Sequence, residues 1–105
     1  MASDQKTVDF IVEQMTAAGD VRSRKMFGEY AIYCNEKVVA LVCDDQLYLK
    51  VTAPGQTAVR SQTLAPPYPG AKDSLVIPEE DWDDAGYLSG LARVTADALP
   101  VPKKR

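Results

Sequence analysis

The chain has 105 residues, 46% of them hydrophobic and 26% charged, the composition of a folded domain with one modest core and too little sequence for two. A formal net charge of -3 repels a phosphate backbone, so direct nucleic-acid binding is not expected. The sequence contains no histidine, which excludes Ser-His-Asp and Cys-His catalysis and His-based zinc sites. No apolar run approaches the roughly eighteen residues of a membrane span, and the N-terminus has no cationic-then-apolar leader. The expectation is a cytoplasmic protein without a membrane partner.

In chain order, Val8, Ile11, Val12 and Met15 follow the i, i+3, i+4, i+7 spacing of one helical face. The spacing predicts a helix over Ser3 to Ala18, capped by Ser3 or Asp4 and ended by Gly19 in a left-handed conformation. Its apolar stripe reads as core.

Residues Glu29 to Val51 read as three antiparallel strands, with Asn35-Glu36 and Asp44-Asp45 as two-residue turns. That register sets Cys34 against Lys37, Ile32 against Val39, Tyr30 against Leu41, Val42 against Leu47 and Ala40 against Leu49. One face then carries Ala31, Tyr33, Val38, Ala40, Val42, Leu47, Leu49 and Val51. The other carries Tyr30, Ile32, Cys34, Val39, Leu41, Cys43, Tyr48 and Lys50. Both faces are largely apolar, and a chain this short supplies helices enough for one. The second face calls for a partner chain, a ligand or a folded-back loop, and homodimerisation through the sheet is the leading explanation.

In this register Cys34 and Cys43 share a face but stand roughly 20 Å apart along the strands, too far for a disulfide. Two reduced, partly buried thiols are expected, with no redox role. No CxxC, metal-ligand set, phosphate loop or nucleophile elbow is present, so neither a cofactor nor an enzymatic activity is expected.

After Val51, "TAPGQTAVRSQT" suits a short helix with Thr52 as cap and Pro54 in its first turn. "LAPPYPGA", Leu64 to Ala71, reads as a rigid loop, because three prolines can neither continue a helix nor occupy a central strand. Asp73 to Pro78 reads as one more strand. Glu79, Glu80, Asp81, Asp83 and Asp84 then lead a last helix whose apolar face is Leu88, Leu91, Ala92, Thr95 and Leu99. Acid at a helix N-terminus complements the dipole, and Trp82 inside it suits a hydrophobic staple. The chain is expected to form a single domain over residues 1–100, followed by a disordered basic tail, Lys103-Lys104-Arg105, over 101–105.

The stretch "RSRKMFGEYAIYCNEKVVALVCDDQLYLKV", Arg22 to Val51, resembles the N-terminal domain of the TfoX/Sxy family, associated with regulation of natural competence. That family shows R-x-M-F-G-G-Y-G-x-Y, an apolar hairpin, an acidic turn and L-Y-L-K. Arg24, Met26, Phe27, Gly28, Tyr30, Tyr33, Leu47, Tyr48, Leu49 and Lys50 carry the match. Glu29 and Ala31 stand where glycines are usual, and the loop after Tyr68 is shorter than the family pattern. The resemblance implies a two-layer α+β domain, helix-strands-helix-strands-helix, with an antiparallel sheet and flanking helices, similar to secretion-chaperone-like folds that often dimerise. Full-length competence regulators also carry a C-terminal helical domain, so this chain reads as a stand-alone N-terminal module.

The expected function is a non-enzymatic protein–protein interaction module, a homodimer with a regulatory role in transcription or competence and another regulatory protein as a further partner. The candidate interaction residues are Arg24, Lys25, Tyr30, Val39, Leu41, Tyr48 and Lys50, with Val39 and Leu41 on the spare sheet face and the cations at its rim. The alternative is a small-molecule-binding protein whose pocket lies between the sheet and the Pro-rich loop, walled by Tyr30, Tyr48 or Tyr68.

Overall fold

The computed structural model describes residues 3–26 and 29–100. The tail expected to be disordered over 101–105 lies outside them, as do Phe27 and Gly28 of the family-like stretch. Helix α1 spans Gln5–Met15, and the Asp4 carboxylate caps it by accepting the Lys6 N–H at 3.0 Å. Its stripe is buried as expected at Val8, Ile11 and Met15. A 3-10 turn over Thr16–Ala18 leads to Gly19, at φ +146°. A Cβ there would stand 2.7 Å from the Asn35 Oδ1, so both the backbone conformation and the available space require glycine.

The strands are β1 (Val21–Met26), β2 (Glu29–Cys34), β3 (Lys37–Cys43), β4 (Gln46–Leu49), β5 (Leu64–Ala65) and β6 (Ser74–Ile77). They form one sheet in the order β1-β2-β3-β4-β6-β5, antiparallel at every junction. Both expected hairpin turns are present. Asn35 and Glu36 lie at φ 53° and 70°, and Asp44 and Asp45 at 52° and 56°, the doubly left-handed geometry that matches the twist of the flanking strands. Two strands went unforeseen. β1 shows no apolar alternation because it is an edge strand with most of its side chains in solvent, and β5 is only the two residues before the prolines.

One register differs from the expectation. Cys34 pairs with Lys37 and Tyr33 with Val38, but a bulge then sets Ile32 against Ala40 and Tyr30 against Val42. Val39 is the extra residue, so Val39 and Ala40 both sink into the same core and the alternation of β3 reverses relative to β2. The junction between β3 and β4 follows the expected register, Ala40 with Leu49 and Val42 with Leu47.

The consequence is one fully covered face. Tyr30, Ile32 and Cys34 of β2, Ala40 and Val42 of β3, and Leu47 and Leu49 of β4 pack with α1 and with α3 (Ala85–Ala98) in a single cluster. Helix α3 buries Leu88, Leu91, Ala92, Thr95 and Ala96. The short α2 (Ala53–Ala58) begins as expected, with Thr52 Oγ1 accepting the Gly55 N–H. Trp82 anchors the start of α3: its ring is buried and its indole N–H donates to the Ile77 carbonyl at 2.9 Å. The Asp84 carboxylate caps α3 by accepting the Tyr87 N–H. It also receives Arg60, whose guanidinium stacks 3.9 Å from the Tyr87 ring. The layers are therefore helices on one side and sheet on the other, an α+β fold.

Candidate functional site

The face that no helix covers is built by the strand register. Arg24 opposes Ala31, Ala31 opposes Leu41, Leu41 opposes Tyr48, and Tyr48 opposes Val76, a transverse row over five strands. Ala31 is buried, whereas Leu41, Tyr48 and Val76 are half-buried. The Pro-rich segment folds back over part of this face, and Tyr68, 57% exposed, stands between two hollows. One, about 450 Å³, is lined by Met26, Glu29, Tyr30, Leu41, Cys43 and Tyr68. The other, about 460 Å³, lies against Leu41, Tyr48, Lys50, Val51, Pro67 and Tyr68. Met26, Val51 and Tyr68 are all exposed apolar side chains; Met26 lines the first hollow, Val51 the second and Tyr68 both.

The seven candidate residues do not converge. Leu41 and Tyr48 form the centre of the uncovered face, and Lys50 stands exposed at the rim of the second hollow. Arg24 and Lys25 are both exposed on β1 but point to opposite sheet faces, Arg24 opposite Ala31 and Lys25 opposite Tyr30. Tyr30 and Val39 belong to the core. The Tyr30 hydroxyl donates to Gln5 Oε1 at 3.0 Å, tying the sheet to α1. The bulge is the physical reason that Val39 and Leu41 part company, and it also moves the cysteines. Cys34 lies in the helix-covered core and Cys43 on the other face, so they share no face, and both are free. Burial, foremost, raises both thiols above the ordinary value, reinforced by Asp97 at Cys34 and Glu29 at Cys43.

A polar network at one end of the sheet was not visible in the sequence. Glu29 Oε1 accepts from the Ser3 N–H at 3.0 Å and the Ser3 hydroxyl at 2.7 Å, and Oε2 accepts from the Asp44 N–H at 3.0 Å. The Ser3 oxygen in turn accepts the Asp45 N–H, and Asp45 Oδ1 accepts the Asp4 N–H. Partial burial raises the Glu29 pKa, but the hydrogen bonds from Ser3 and Asp44 together outweigh it and hold the carboxyl below its ordinary value. The only signal for this role is that Glu29 occupies a position where the resembling family has glycine.

Among the described residues, no three His, Cys, Asp or Glu side chains converge as a metal site, and no helix is long and apolar enough to cross a membrane. What the geometry defines is a two-layer α+β domain whose antiparallel sheet is clad by helices on one face and only partly by a loop on the other. The chain belongs to the TfoX N-terminal domain family, whose sequence model matches residues 13–99. It is also 43% identical over 105 residues to an uncharacterized 12.7 kDa protein in the trpE 5′ region of Spirochaeta aurantia, covering 100% of this chain and 90% of that one.

Proposed function

We propose that the protein is a non-enzymatic interaction module with a regulatory, competence-related role, and that it self-associates as a homodimer in the cytoplasm through the uncovered sheet face. The observation that carries this reading is the row Leu41–Tyr48–Val76, apolar, half-buried and flanked by the exposed Met26, Val51 and Tyr68. Apolar area arranged on one face gains most from burial against a second such face, and the family membership supports a regulatory setting. A native mass spectrum of the protein purified from cells under reducing conditions tests the reading. A ligand-free dimer is the expected result.

The hollows favour a second reading, in which the same face holds a small apolar molecule under Tyr68. Their volumes, about 450 and 460 Å³, fall within the range of small-molecule sites. A monomer carrying a defined extra mass in the same spectrum would put this reading first.

A further inference from the structure

The stretch "VRSRKM" became β1, the long edge of the sheet, and its backbone has an open side. The Asn35 N–H donates to the Asp20 carbonyl at 2.9 Å, and Val21 stands opposite Cys34 in the same register. In an antiparallel ladder, hydrogen-bonded and non-bonded pairs alternate, so Arg22, Arg24 and Met26 bond to β2. The N–H and C=O groups of Val21, Ser23 and Lys25 then point away from the sheet. At the opposite edge β5 is only two residues long, so β1 offers the longer run of free backbone groups for another strand.

The side chains along this edge select what can dock. Arg22 and Arg24 project on the uncovered face and line a depression with Ser23, Tyr33 and Glu36, while Lys25 projects on the helix face beside the half-buried Ser23 and Val21. Arg22 meets Asp20 at 3.2 Å in an exposed pair. Arg24 and Lys25 have no ionic partner among the described residues. A second copy docked by its own β1 would set these cations against one another, which is destabilising. A nucleic-acid backbone carries charge at every unit and would run over Asp20, Glu36 and a chain of net charge -3, whereas an extended peptide can place its few carboxylates against Arg22 and Arg24 alone.

We propose that the free edge of β1 accepts an extended acidic segment of another protein as a seventh strand. Carboxylates at alternate positions of that segment meet Arg22 and Arg24, while the intervening small apolar side chains lie on the helix face beside Val21 and Ser23. This inference deepens the interaction-module reading and rests on it, but it uses a surface distinct from the Leu41–Tyr48 row. Its failure would leave self-association untouched, and the mass spectrum above reports self-association independently.

The test is fluorescence anisotropy with a labelled peptide of alternating Glu and Val residues, using the full chain at moderate salt. Saturable binding is expected, weakened about tenfold or more by Arg22→Glu with Arg24→Glu and by high salt. Ser23→Pro removes an outward N–H at an edge position where proline is tolerated, so it should abolish binding while thermal unfolding stays cooperative. The unaltered protein with a peptide N-methylated at alternate residues gives the same information if that variant misfolds, and no binding is expected. Absence of binding by the acidic peptide would overturn the proposal. So would binding that survives both backbone blocks, or a labelled DNA duplex that binds more tightly than the peptide.

Discussion

Leu41 and Tyr48 stand directly opposite one another across β3 and β4 on the uncovered face, whereas Val39, two positions earlier in β3, is wholly buried among the helix-facing residues. The bulge at Val39 creates this division. Without it, the alternation of β3 would put Val39 and Leu41 side by side.

The division predicts opposite outcomes for two similar substitutions. Val39→Asp places a carboxylate in the apolar core, where an unpaired charge costs several kcal/mol, and is expected to abolish cooperative unfolding near neutral pH. Leu41→Asp leaves its carboxylate facing solvent or the hollow in the monomer, so at protein concentrations too low for self-association to add stability its thermal midpoint should fall only slightly. Circular dichroism melts of the two variants measure the contrast.

Glu29 links the N-terminus to the turn between β3 and β4 through Ser3, Asp44 and Asp45. Its folded pKa lies below the ordinary 4.5. The carboxylate therefore contributes stability that is present above that value and lost as pH falls through the folded one. Glu29→Gln sets an amide donor against N–H and O–H donors and should cost about 1 kcal/mol near neutral pH, a modest figure because the site is partly solvated. Urea titrations at neutral and acidic pH should show the difference between wild type and variant shrinking as the solution is acidified.

Thr95 is wholly buried on α3, and its hydroxyl has no hydrogen-bond partner among the described residues. A Cβ at Gly55 would stand 2.7 Å from Thr52 Oγ1 and 3.3 Å from the Thr95 oxygen, so Gly55 leaves little room for an added side chain. Thr95→Val replaces the hydroxyl by a methyl of similar size and should be neutral or stabilising by about 1 kcal/mol, read as an unchanged or higher urea midpoint. A loss of stability would mean that the hydroxyl is hydrogen-bonded in solution.

Much of the fold was legible because local chemistry and periodicity agreed. The stripe of α1, the Asn35-Glu36 and Asp44-Asp45 turns, the Thr52 cap and the apolar face of α3 each have a local physical cause that the structure repeats. The bulge was not legible because "KVVALVC" is apolar at nearly every position, so a shift of one residue leaves no polar side chain buried to mark it. β1 was hidden for a related reason: an edge strand with mostly exposed side chains does not alternate. The candidate surface was therefore half legible. Leu41, Tyr48 and Lys50 lie on or beside it, Tyr30 and Val39 lie beneath the helices, and Arg24 and Lys25 straddle the sheet edge.

Self-association through the uncovered face is tested most directly by sedimentation velocity over a wide concentration range on wild type and on Leu41→Asp with Tyr48→Asp. The account predicts a wild-type species of twice the 11.5 kDa chain mass and a folded, monomeric double variant. A wild type that stays monomeric, or a folded double variant that remains dimeric, would contradict it.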